Sequence, residues 1–128
     1  MTPVNWAGTF ENSVEASRLV SSRANGYTVV VPGHGAITKS GAFKKMDKYW
    51  KFLDGEYQEC KSKGVGAKAC ARAVVEGMPD KFKNWPDSER AVINILVQYH
   101  FDNVDTPGKT KLNKFDFIAE YAYAKLFW

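Results

Sequence analysis

Between residues 43 and 57 the apolar positions recur at alternating steps of three and four: Phe43, Met46, Trp50, Leu53 and Tyr57. On a helix these share one stripe, set apart from Lys44, Lys45, Lys48 and Lys51, so the pattern predicts a long helix opened by Thr38 or Ser40 and running to about Lys63. A partly aromatic stripe of this kind is a core or interface face. Gly64-Val65-Gly66 interrupts it, and a shorter helix follows from Ala67 to about Glu76, built on Ala69, Ala71, Val74 and Val75. A turn at 77–80 and a linker at 81–86 lead to a helix capped by Asp87 or Ser88, with Ala91, Val92, Ile95, Leu96 and Tyr99 as its apolar face. After a turn at 105–108, a final helix from about Lys114 to Lys125 carries Phe115, Ile118, Tyr121 and Ala122. At the other end of the chain, residues 9–23 hold Phe10, Val14, Ala16, Leu19 and Val20 among polar neighbours, a moderate helical pattern stopped by Ala24-Asn25-Gly26.

One segment departs from helical spacing. In VVVPGHGAIT, residues 29–38, three β-branched valines follow Tyr27 and Thr28 with no polar alternation, which predicts a strand buried on both faces. Pro32 ends it. Gly33 and Gly35 flank His34 and give the chain conformational latitude, so the imidazole can be presented at the strand's C-terminal edge, where ligands bind in open α/β sheets. Turn chemistry alone also accounts for Pro and Gly here, leaving a plain turn as the alternative. No second convincing strand follows. The expected fold is therefore mainly α with one short β-strand: a single domain over 1–128, with a helix-strand-turn piece at 1–38 and a four-helix C-terminal region at 39–128.

Composition narrows the function classes. The 128 residues are 45% hydrophobic and 14% aromatic, as in a folded globular chain. No apolar run approaches the roughly 18–20 residues of a membrane-spanning helix, and the first residues, MTPVNWAGTFENS, lack the charged start and apolar core of a signal peptide. The net charge of +4 comes from 18 basic against 14 acidic residues. The lysines are dispersed along amphipathic helices, which reads as solvated faces and argues against nucleic acid as a partner. Cys60 and Cys70 lie ten apart across the Gly64-Val65-Gly66 break. That spacing suits neither a zinc knuckle nor a redox CxxC pair. Either the two sulfurs meet across a helical hairpin as a disulfide, which implies an oxidising compartment such as the periplasm or the cell exterior, or they are two small buried hydrophobes.

The VVVPGHGAIT stretch resembles the last metal-ligand motif of the metallo-β-lactamase superfamily, in which a buried strand delivers a histidine at a PGHG turn ahead of a long helix. Asn5-Trp6 and Thr9-Phe10 resemble the helix preceding that strand in the family, and the region of Phe82, Trp85, Arg90, Asn94 and Tyr99 is similar to the C-terminal helical extension of many members. The resemblance implies the last part of an αββα fold, with His34 as the final histidine ligand of a dinuclear zinc (or iron) centre and Pro32, Gly33 and Gly35 as the supporting turn. The chemistry implied is metal-assisted hydrolysis.

The family's His-x-His-x-Asp-His motif, its middle histidine and its bridging aspartate are absent from this sequence. A catalytic zinc takes about three protein ligands and an open position, whereas the chain has two histidines and two cysteines. The other histidine, His100, falls near a helix end, where a capping or half-buried structural role is expected. The expectation is an incomplete metal-dependent hydrolase, inactive alone, completed by a missing N-terminal half. The alternative is a non-catalytic helical interaction or oligomerisation module. In either case a strand without neighbours leaves apolar side chains and backbone exposed at 27–31, which favours a homo-oligomer.

Overall fold

The structure is a computed structural model that describes residues 1–5, 8–33, 35–103 and 112–127; the turn expected at 105–108 lies outside them. In chain order the elements are α1 (Phe10–Arg23), β1 (Val29–Val30), β2 (Thr38–Lys39), α2 (Gly41–Ser62), α3 (Ala67–Glu76), α4 (Asp80–Lys83), a 3-10 turn at Ser88–Arg90, α5 (Ala91–Asn103) and α6 (Lys114–Phe127). The chain is mainly helical, as expected, but two expectations need correcting. There are two short strands among the described residues, paired antiparallel as Val29 with Lys39 and Val30 with Thr38. The region after residue 39 also holds a fifth helix, α4, which sequence periodicity misses because one turn has no period. It forms where Pro79 sets an extended entry and Asp80 supplies first-turn charge, and it buries Phe82.

α1 and α2 pack against each other over much of their length. Thr9 sits extended at the N-cap of α1, and its hydroxyl accepts the Asn12 N–H at 3.3 Å. The predicted stripe of α2 is largely the buried one: Trp50, Leu53 and Tyr57 are enclosed, joined by Tyr49 and Cys60. Phe10 of α1 meets Trp50 and Tyr57 with ring centroids 6.1 Å from each. Ser40 occupies the position before α2 without a capping bond from its side chain, and Thr38 is taken up by β2.

The break at Gly64 is a Schellman turn. Gly64 has φ +67°, its N–H donates to the Lys61 carbonyl at 3.1 Å, and the Val65 N–H donates to the Cys60 carbonyl at 2.9 Å. The reversal sets α3 beside the end of α2 and brings Cys60 and Cys70 to a Cα separation of 5.8 Å, where they form a disulfide. Of the two readings of the cysteines, the bonded pair holds. Tyr99 of α5 ties down the same turn by donating its hydroxyl to the Val65 carbonyl at 2.8 Å.

α5 is the centre of the molecule: all residues from Ala91 to Tyr99 are buried, where one apolar face was expected. Two amides interrupt its apolar surface one turn apart. Asn94 accepts the Asn5 N–H at 2.8 Å and donates to the Pro3 carbonyl at 2.9 Å and to the Tyr49 hydroxyl at 3.0 Å. Gln98 accepts the Phe10 N–H at 2.7 Å and donates to Asp102 at 2.9 Å. The N-terminal segment is thus laid along α5 by backbone bonds to side-chain amides, and Thr2 fixes its start by donating both N–H (2.8 Å) and hydroxyl (3.0 Å) to the Pro86 carbonyl.

α6 docks through charge. Lys68 pairs with Asp116 at 2.6 Å, Arg72 grips Glu120 with two bonds of 2.7 and 2.9 Å while its guanidinium lies 4.2 Å from the Tyr123 ring centre, and Lys125 pairs with Glu89. Its inward positions are Phe117, Glu120 and Ala124, so the expected apolar face is largely turned outward: Phe115, Ile118 and Ala122 are exposed. Ala69 of α3 and Ala16, Leu19 and Val20 of α1 are likewise exposed. In α3 the expected Ala71, Val74 and Val75 and in α1 the expected Phe10 are buried, whereas inward Glu120 of α6 and Ser17 of α1 give no hydrophobic signal, so the phase of those two helices is only partly legible from the pattern.

Asn94→Leu keeps the volume but strands the Asn5 N–H, the Pro3 carbonyl and the Tyr49 hydroxyl, so it should cost roughly 2–4 kcal/mol in urea unfolding. At the end of α5, Asp102 accepts bonds from Lys61 at 2.6 Å, from Gln98 and from the Tyr57 hydroxyl. Partial burial pushes its carboxyl up, but the bonds from Lys61 and Tyr57, the Lys61 charge and Gln98 together hold it below the usual carboxylate range. A carboxyl depressed by folding contributes stability that is present above its unfolded pKa and lost as pH falls through the folded one. Asp102→Asn should therefore destabilise the chain at neutral pH and flatten the loss of stability below about pH 4, measured as denaturation midpoints against pH.

Candidate functional site

The PGHG turn lies in the connection between β1 and β2. Asn25 and Thr28 organise the approach to it: the Asn25 side chain accepts the Tyr27 N–H, and the Thr28 hydroxyl accepts the Asn25 N–H, each at 2.9 Å. The two-residue ladder that follows is short and stands on the surface. Tyr27 is 96%, Val29 65%, Val31 74% and Ile37 68% exposed, whereas Val30 is half-buried. The strand expected to be buried on both faces is thus not buried. Among the described residues its sheet neighbour is β2, and Val29 and Val31 are left largely uncovered.

The two glycines of the turn are not equivalent. Gly35 has φ +97°, a region that L side chains rarely adopt, and a Cβ there would lie 3.6 Å from the Met1 Cβ. Backbone conformation, not space, requires glycine at that position. Gly33 has open space around it and no positive φ, while Pro32 is half-buried beside it. His34 lies outside the described residues.

The remaining candidate ligands are distributed elsewhere. Cys60 and Cys70 are consumed by their disulfide. His100 is half-buried near the end of α5, with its ring 6.0 Å from that of Phe101 and 6.4 Å from that of Phe117, which matches the structural placement expected of it. Among the described residues no group of three His, Cys, Asp or Glu side chains is arranged to hold a metal ion. The described residues therefore do not fit a complete zinc or iron site.

Elsewhere the surface is mixed. Lys51, Lys61, Lys63, Lys68 and Lys125 each pair with a carboxylate, whereas Lys44, Lys45 and Lys48 on the first turns of α2 are exposed near the hairpin. Among the described residues no helix is long and apolar enough to cross a membrane. Sequence reasoning passed over two features: the Asn94 and Gln98 pair, detectable as amides four apart in an otherwise apolar helix, and a groove of about 550 Å³ between α5 and α6.

Comparisons with models of protein families, with curated proteins and with solved structures found no match.

Proposed function

We propose that this chain supplies one ligand, His34, to a metal-dependent hydrolase site of the metallo-β-lactamase type, and that the remaining ligands belong to a polypeptide segment other than residues 1–128. The supporting observation is the exposure of Val29, Val31 and Ile37 around the PGHG turn. Three consecutive valines are poorly suited to a solvated strand, and a two-residue ladder is too short to sustain itself. A neighbouring strand laid beside Val29–Val30 would cover those side chains and extend the sheet that the resemblance implies. Taken alone, the chain is inactive, because one histidine cannot hold a catalytic zinc. The disulfide favours an oxidising compartment, the periplasm or the cell exterior.

The second reading, a helical module that pairs with its own copies, rests on the same exposed residues, since an unpaired apolar edge also invites self-association. Isolation of the protein from its own host separates the two. The hydrolase reading expects stably associated or covalently continuous polypeptide carrying His-x-His-x-Asp-His, identified by mass spectrometry, with stoichiometric zinc or iron that is lost on His34→Ala. A homo-oligomer without that segment, carrying no metal in either form, would overturn it in favour of the module.

A further inference from the structure

The groove between α5 and α6 is separate from the PGHG turn and owes nothing to the hydrolase reading. Ile93 and Val97 of α5 form its floor, and Phe117 and Ile118 of α6 face them, with Phe101 at the side. Ion pairs tie α6 to α3 and to the 3-10 turn beside this groove. Its volume of about 550 Å³ falls within the roughly 300–1,000 Å³ typical of small-molecule sites, which are mostly apolar with a few polar groups that fix orientation.

The polar groups lining it are a selective set. His100 has a buried Nδ1 with no hydrogen-bond partner among the described residues. A ligand that entered the groove would give this imidazole a polar partner. Lys114 is exposed, and among the described residues its ammonium lies over the Phe115 ring, 5.4 Å from the centroid. Tyr121 adds a phenol. The nearby carboxylates are engaged elsewhere, Asp116 with Lys68 and Glu120 with Arg72. Among the described lining residues the polar groups are a cation, an imidazole and a phenol, with no carboxylate, and an apolar trough so lined is complementary to an amphipathic anion.

We propose that this groove binds a medium-chain carboxylate, its tail along Ile93, Val97 and Phe117 and its head group at Lys114 and His100. Decanoate, decanol and decyltrimethylammonium, each below its micelle concentration, are the probes, titrated into the full chain by calorimetry and amide NMR. Decanoate should bind saturably with shifts at Val97, His100 and Ile118, and far more tightly than the alcohol or the cation. Lys114→Glu and Ile118→Glu change exposed residues, which spares the fold, and each should weaken decanoate by about tenfold or more. Equal binding of decanol, undiminished binding by both variants, shifts that map to another surface, or no saturable binding would each overturn the proposal. So would a dimer that closes the groove and is not dissociated by decanoate.

Discussion

Asn94 and Gln98 are amides set into the stretch Ala91–Tyr99 of α5, every residue of which is buried, and through them α5 organises more than its own packing. A helix buried all round has no solvent-facing side on which to place a polar group, so an amide there must find partners or be costly. Here the partners are backbone groups of the N-terminal segment at Pro3, Asn5 and Phe10 and the hydroxyl of Tyr49. That exchange fixes where α1 begins. α1 then lies against α2, α2 reverses through the Gly64 turn and the disulfide into α3, and α3 packs back on α5. The helical body closes on itself.

The hairpin is not included in that closure. β1 and β2 come between α1 and α2 in the chain, with Val29, Val31 and Ile37 exposed. Two parts of one chain therefore answer to different forces. The helices are satisfied by contacts within the chain, whereas the strand sequence has the composition of an interior and the surroundings of a surface. A partner strand would resolve that mismatch.

Much of the helical layout was legible in the sequence because long periodic stripes and glycine breaks signal independently of context. Phe43 to Tyr57, the Gly64 break and Ala67–Glu76 are examples. Phase was harder to read. The inward side of α6 is built from Glu120 and Ala124, and a carboxylate buried under Arg72 is invisible to a hydrophobic count. The second strand, Thr38–Lys39, is two polar residues without alternation and is defined only by its pairing with β1. For the candidate site, the motif and the lack of co-ligands were both readable from residue identity. The exposure of the strand was not, since Tyr27-Thr28-Val29-Val30-Val31 reads as buried whenever its neighbours are assumed.

The division between a self-sufficient helical body and an uncovered hairpin is tested most directly by amide hydrogen exchange on the isolated monomer. The amides of Val92 to Tyr99 should exchange only through global unfolding, while those of Val29, Val30 and Lys39 should exchange through local opening, orders of magnitude faster. Protection of the hairpin equal to that of α5 would contradict the account.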